Sequence, residues 1–137
     1  MTEKGGYLME NRDEIIRLEG KTDPGAFYRQ ATWCGVRPGM RVLDAGCGPG
    51  LTTAFLREMV MPGGSATGID FSASRIEHAR KTYGNLPGIR FELRDFRDPL
   101  EELGAFDLIW VRFVLEYFRK EAFRIVKNLK ALIKPGG

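Results

Sequence analysis

A chain of 137 residues, 43% hydrophobic and 28% charged, with a formal net charge of +3, is long enough to bury one real core but short for a complete doubly wound enzyme. Its Lys and Arg are dispersed among acidic residues, which argues against a nucleic-acid partner; no apolar run approaches the roughly 20 residues of a membrane span and residues 1–6 carry no apolar signal region, so a cytoplasmic protein is expected. Two cysteines, Cys34 and Cys47, and one histidine, His78, make neither a disulfide framework nor a zinc-ligand spacing, so no metal site is expected.

Residues 11–21 set Ile15, Ile16 and Leu18 among charges, the pattern of a short amphipathic helix after the Gly5-Gly6 pair. Asp23-Pro24 is an N-cap followed by proline at the first helical position, and this helix should run to about Cys34 before Gly35. Pro38-Gly39 then turns the chain into the first strand, where Val42 and Leu43 are apolar and Asp44 puts a carboxylate at the carboxyl end. Gly46, Gly48 and Gly50 follow, removing the Cβ atoms that would hold a ligand off and leaving backbone N–H groups bare. Leu51, Ala54, Phe55 and Met59 recur at helical spacing, so the loop opens into a helix whose positive dipole end faces the same crevice. Strand, glycine turn and helix start together make a nucleotide site.

Pro62-Gly63-Gly64 breaks this helix, and residues 66–69 read as a second buried strand ending at Asp70, where a carboxylate can accept from both hydroxyls of a ribose. Phe71 is placed to lie against an adenine, and Ser72 caps a helix over about residues 73–83 with Ile76, Ala79 and Tyr83 inward and Arg75, Glu77, His78, Arg80 and Lys81 mostly outward. After the loop at 84–88, residues 89–93 alternate as a third strand, residues 99–104 form a short helical crossover, and residues 106–111 are a fourth, strongly apolar strand. The last helix, about 120–133, carries an apolar stripe of Ala122, Ile125, Val126, Leu129, Leu132 and Ile133 before Lys134-Pro135-Gly136-Gly137 ends it.

The glycine spacing separates two kinds of nucleotide site. The dinucleotide fingerprint G-x-G-x-x-G would need its third glycine where Leu51 stands, and Pro49 stiffens the turn. Asp44-Ala45-Gly46-Cys47-Gly48-Pro49-Gly50 instead resembles the first motif of the class I, Rossmann-like S-adenosylmethionine-dependent methyltransferases of small-molecule type. The loop chemistry agrees, because a methionine carboxylate needs N–H donors and its ammonium needs an acceptor such as Asp44. Arg94-Asp95-Phe96 resembles the third motif of that family, which implies that Asp95 accepts from the adenine amino group and the Phe96 N–H meets a ring nitrogen. The segment from Phe106-Asp107 into the fourth strand resembles the fourth motif, which implies that one or more of Arg112, Phe113, Glu116 and Tyr117 line the sulfonium and acceptor pocket; Phe113 and Tyr117 equally suit a helix face in the core.

The resemblance thus implies a cofactor-binding set of Asp44, Gly46, Cys47, Gly48, Gly50, Asp70, Phe71, Asp95, Phe96 and Arg112, with S-adenosylmethionine as cofactor and S-adenosylhomocysteine as product. No catalytic base can be named. Cys47 reads as a small residue fitting a tight loop, since no histidine stands nearby in sequence to activate a thiolate. Tyr7, Glu14, Arg17 and Leu18 loosely echo the family's N-terminal segment over the cofactor, and simple cover for the sheet explains them as well. The Asn-Pro-Pro-aromatic pattern of amino-directed nucleic-acid methyltransferases is absent, which argues against a DNA base as acceptor.

The expected fold is α/β, a Rossmann-like three-layer sandwich with parallel strands in the order 3-2-1-4, stopping before a fifth strand. Residues 1–35 would form a helical segment covering the cofactor site, and residues 36–137 the S-adenosylmethionine-binding domain. A fourth strand without a fifth leaves an apolar edge, so the chain is expected to be part of a longer polypeptide or to pair with a second copy as a homodimer. The expected activity is in-line methyl transfer to a small molecule. Two alternatives stay open: a catalytically inactive methyltransferase-like binding or regulatory module, and a NAD-dependent oxidoreductase, which Leu51 disfavours.

Overall fold

The computed structural model describes residues 23–112, 115 and 118–137, and within it helix α1 spans Pro24–Trp33. The helix expected at residues 11–21, with Tyr7, Glu14, Arg17, Leu18, Phe113, Glu116 and Tyr117, lies outside the described residues. Asp23 caps α1 as expected, accepting from the Gly25 N–H at 3.1 Å, and Pro24 sits where its missing N–H leaves no bond unmade. Then come β1 (Arg41–Ala45), α2 (Leu51–Val60), β2 (Ser65–Asp70), α3 (Ala73–Tyr83), β3 (Ile89–Leu93), a 3-10 turn (Glu101–Leu103), β4 (Leu108–Val111), a second 3-10 turn (Arg119–Glu121) and α4 (Ala122–Lys130).

The strands form one four-stranded sheet in the order β3-β2-β1-β4, every pair parallel, as the sequence led us to expect. Ala45 registers with Ile69 on one side and Val111 on the other, and Asp70 registers with Leu93. All four carboxyl ends therefore share one edge, which is where a parallel α/β sheet places its ligands.

Strand alternation sorts the core into two layers around the sheet. Val42 and Ala66 pack with Phe27 and Ala31 of α1 and with Leu56 and Val60 of α2, while Ile76 and Ala79 of α3 cover Phe91 on the same face. Leu43, Ala45 and Ile69 point the other way, onto Leu103, Phe106 and the Ile125 and Leu129 positions of α4. Each fully buried aliphatic side chain of this kind contributes about 1.5–3 kcal/mol.

Three local expectations are corrected. Arg75, expected on the outward face of α3, is fully buried, because its guanidinium lies 4.0 Å from the equally buried Asp70 carboxylate. The last helix is shorter than residues 120–133, and its stripe is only partly inward: Ile125 and Leu129 are buried, but Val126 is 46% and Ile133 39% exposed. The fourth strand begins at Leu108 rather than at residue 106, because Phe106 is tied instead to the segment after α4, its N–H donating to Leu132 at 2.8 Å and its carbonyl accepting from Lys134 at 2.9 Å.

Among the described residues β4 is an edge strand, and an open groove of about 740 Å³ runs beside it, lined by Leu108 and Trp110 and by Arg29 and Trp33 of α1. No helix among them is long and apolar enough to cross a membrane.

Candidate functional site

The glycine loop after β1 holds Gly46, Gly48 and Gly50 at φ of 84°, 57° and 103°, a region glycine enters without strain. The three do different work. A Cβ on Gly50 would stand 2.8 Å from the Ala79 Cβ and 3.0 Å from Tyr83, so this glycine lets α3 pack against the loop. Among the described residues a Cβ on Gly48 would meet nothing within 4 Å, so with respect to them this glycine borders open space at the carboxyl edge of the sheet.

The loop amides, expected to be bare, are taken up by the protein itself. The Gly46 and Cys47 N–H groups both donate to the Ile69 carbonyl, at 2.8 and 2.9 Å, the Gly48 N–H donates to Asp70 Oδ2 at 2.9 Å, and the Gly50 N–H donates to the Cys47 carbonyl at 3.1 Å. The physical reason is closure. A loop folded back over the end of the neighbouring strand has to satisfy the Ile69 carbonyl and the Asp70 carboxylate there. The donors left for an anion are those of the first turn of α2, which a helix cannot use internally.

Asp44 lies directly beneath this loop and is only 2% exposed. The hydroxyls of Thr52 and Thr53 both donate to its Oδ2, each at 2.7 Å, and its Oδ1 takes no hydrogen bond from the described residues. Burial pushes its pKa up to about 6 against the downward pull of the two hydroxyls, with the Asp70 charge adding to the rise and Arg112 opposing it. Arg112, just past β4, also stands 5.9 Å from the Phe27 ring centre. Cys47 is buried, and burial together with the Asp70 and Asp44 charges holds its thiol well above the ordinary value. A thiol so disposed is no nucleophile, which favours its reading as a small loop residue.

Asp70 ends β2 with no exposed surface. Its Oδ1 accepts from the Ser72 N–H and its Oδ2 from the Gly48 N–H, both at 2.9 Å, and Arg75 balances its charge. Sequence reasoning missed Arg75, although it lies in the first turn of α3, three residues after the Ser72 cap, whose Oγ accepts the Arg75 N–H at 3.4 Å.

Asp95 and Phe96 follow β3 at the same edge of the sheet. Arg97 holds Asp95 in a fork, Nε to Oδ1 at 2.8 Å and Nη2 to Oδ2 at 2.6 Å, which keeps the carboxyl below its usual pKa. Phe96 is buried, and its ring meets Phe118 edge-on at 6.5 Å; Phe71 meets the same ring at 5.5 Å, and the Arg97 guanidinium lies 5.5 Å from it. Phe118, which the sequence did not single out, thus joins the segments after β2 and β3. The structure brings Asp44, the glycine loop, Asp70 and Arg112 into one charged cluster, and Phe71, Phe96 and Asp95 into an aromatic one beside it. Among the described residues no group of three His, Cys, Asp or Glu side chains could hold a metal ion.

Known proteins resemble this chain in sequence and fold. A family profile described as a methyltransferase domain matches residues 42–137. An uncharacterized 37.1 kDa protein of transposon TN4556 from Streptomyces fradiae is 37% identical over 144 residues, covering 100% of this chain and 41% of that protein. A demethylmenaquinone methyltransferase of Staphylococcus aureus is 31% identical over 103 residues, covering 75% of this chain and 42% of its own length. The chain therefore spans about two fifths of these relatives, 41% and 42%. The crystal structure of a SAM-dependent methyltransferase from Aquifex aeolicus superposes with a TM-score of 0.75 at 22% identity, over 91% of this chain and 68% of that one. With its sheet order, its glycine loop between β1 and α2 and a family match over most of its length, the chain belongs to the methyltransferase-domain family, on the Rossmann-like architecture of the S-adenosylmethionine-dependent enzymes.

Proposed function

We propose that this chain forms the cofactor-binding part of an S-adenosylmethionine-dependent methyltransferase whose acceptor is a small molecule. The observation that carries the reading is the space beside Gly48 at the switch between β1 and β4, open among the described residues, with the buried Asp44 carboxylate at the end of β1 and one oxygen of it taking no hydrogen bond from the described residues. The residues suit an amino-acid-bearing adenosine. Asp44 accepts from its ammonium, the first-turn amides of α2 meet its carboxylate, and Gly46, Cys47, Gly48 and Gly50 form the cradle. Asp70 takes the ribose, Phe71 the adenine face, Asp95 the adenine amino group and the Phe96 N–H a ring nitrogen, while Arg112 borders the acceptor side. Asp95 Oδ1 accepts from both the N–H and the Nε of Arg97, whereas its Oδ2 accepts from the Arg97 Nη2 and can take a second donor; for Asp70 a ribose contact requires the cover over its buried carboxylate to open.

When bound, S-adenosylmethionine supplies an electrophilic methyl on a sulfonium centre. What the chain's residues contribute is orientation, charge complementarity at the amino-acid end and exclusion of water, and proximity of this kind accounts for much of the barrier in a displacement without a protein base. A small-molecule acceptor is supported by the demethylmenaquinone methyltransferase among the relatives and by the lack of an Asn-Pro-Pro-aromatic segment.

Differential scanning fluorimetry tests the cofactor. A rise in melting temperature with S-adenosylhomocysteine and none with NAD is expected, and the reverse pattern removes the reading. Transfer of a labelled methyl group by the full-length protein to members of a metabolite panel tests the acceptor; label found only in nucleic acid or protein overturns that part. The β4 edge, in the same reading, takes its next strand from a second copy or from further sequence of a longer protein. Sedimentation of this chain as a dimer would support the first.

A further inference from the structure

We propose that Thr52 and Thr53 are positioning residues that grip Asp44 by one carboxylate oxygen, Oδ2, and thereby aim the other, Oδ1, at the ammonium group of the bound cofactor. The inference rests on the cofactor reading above and assigns roles to two side chains which that reading leaves out.

Both hydroxyls donate to the same oxygen at 2.7 Å, although a carboxylate offers two oxygens and they could have been shared between them. Thr52 and Thr53 are consecutive residues in the first turn of α2, so one helix end delivers both donors from one side. The fold makes room for this approach. A Cβ on Gly68, the β2 residue in register with Asp44, would stand 2.7 Å from Thr53 Oγ1 and 2.9 Å from the Cys47 Cβ, so only glycine at that position lets the Thr53 hydroxyl reach the carboxylate. Oδ1, by contrast, takes no hydrogen bond from the described residues.

The grip also sets the charge. Asp44 is enclosed by Asp70 at the end of β2, Cys47 in the loop and Arg112 past β4; the first raises its pKa and Arg112 lowers it, while the Cys47 thiol stays neutral. The hydroxyls lower it too, so they hold the carboxylate ionised near neutral pH, as an acceptor for an ammonium must be. Without them, burial and Asp70 would carry the group toward the protonated form, which cannot take a charged donor in the same way.

The test reads the carboxylate and the ligand separately. The Asp44 carboxyl carbon is titrated by NMR in the ligand-free chain, and S-adenosylhomocysteine binding is measured by calorimetry across the same pH range, for the wild type, a Thr52→Val/Thr53→Val pair and a Thr52→Ser/Thr53→Ser pair. The valine pair should raise the Asp44 midpoint by about one pH unit, since hydrogen bonds to a charged group are lost, and weaken binding at pH 7 by about tenfold. The serine pair, which keeps both hydroxyls, should follow the wild type in each measurement. An unmoved midpoint in the valine pair overturns the grip. A moved midpoint with unchanged affinity and pH profile overturns the aiming of Oδ1. Absence of binding by the wild type at every pH overturns the cofactor reading and the aiming with it, and is told apart from failure of the grip because the carboxyl titration needs no ligand.

Discussion

The Gly48 N–H donates to Asp70 Oδ2 at 2.9 Å, so the middle of the glycine loop after β1 hangs from the last residue of β2. Asp70 in turn holds the Ser72 N–H through its other oxygen and faces the buried Arg75 guanidinium. One carboxylate therefore shapes the loop, starts α3 and neutralises a cation inside the core.

Replacing Asp70 by alanine should cost about 3 kcal/mol of folding stability, because it leaves the Arg75 charge buried without its carboxylate and frees two backbone donors. Urea denaturation should show the loss as a lower midpoint with an unchanged slope, and calorimetry should show S-adenosylhomocysteine binding weakened at least tenfold. A stable Asp70→Ala protein with wild-type affinity would remove Asp70 from both roles.

Asp44 should make stability fall as pH rises. Its folded pKa of about 6 lies above the ordinary 3.8, so the native state binds the proton more tightly than the unfolded chain. The stabilisation is fully present below the unfolded value and is lost as pH climbs through the folded one. Asp44→Asn should flatten this profile and raise stability at pH 7.5 by about 2 kcal/mol, while weakening S-adenosylhomocysteine binding. Urea melts at pH 5 and pH 7.5, read beside calorimetry, check both halves.

Two glycine substitutions should separate packing from ligand space. Gly50→Ala puts a Cβ 2.8 Å from the Ala79 Cβ at a φ of +103° and should destabilise by about 2–3 kcal/mol. Gly48→Ala meets no atom of the described residues within 4 Å and bears only the left-handed backbone penalty of about 1–2 kcal/mol, yet should abolish cofactor binding by filling the space beside the glycine loop. Equal melting temperatures for the two variants would contradict the assignment.

Asp107 should act with the opposite sign. Its Oδ2 accepts from the Arg41 N–H at 2.8 Å and lies 3.3 Å from the Lys134 ammonium, tying the start of β1 to the segment after α4. The Arg41 bond is the main cause of its lowered pKa, so its contribution is present above the unfolded carboxylate range and is lost as pH falls through the depressed folded value. Asp107→Ala should cost about 1 kcal/mol at pH 7, a modest figure because the site is partly open to solvent, and the cost should vanish in acid. Thermal melts of the two proteins at neutral and acid pH would show it.

Much of this molecule could be read along the chain. The caps at Asp23 and Ser72, the alternating strands and the glycine run follow from local propensity and short spacings, which survive in any fold that buries apolar faces, whereas the β3-β2-β1-β4 order was expected from the resemblance to the methyltransferases. The acids at the strand tips were legible for the same reason. A parallel sheet puts each carboxyl end at one edge, so a strand that ends in Asp announces where that Asp goes.

The partners of those acids were not legible. The helical spacing of Leu51, Ala54, Phe55 and Met59 announced α2 but not which side faces in: the fully buried positions are Thr53, Leu56 and Val60, and Thr53 fills the gap that Gly68 leaves in the neighbouring strand. The same holds for Arg75 turning inward to Asp70, and for Phe118 gathering Phe71 and Phe96 from two separate loops. Periodicity says that a face is apolar, and composition says that a loop is thin. Which oxygen of Asp44 is held, and which loop amides remain for a ligand, depends on how helices settle against the sheet, a free-energy minimum over many contacts that no short stretch of sequence contains.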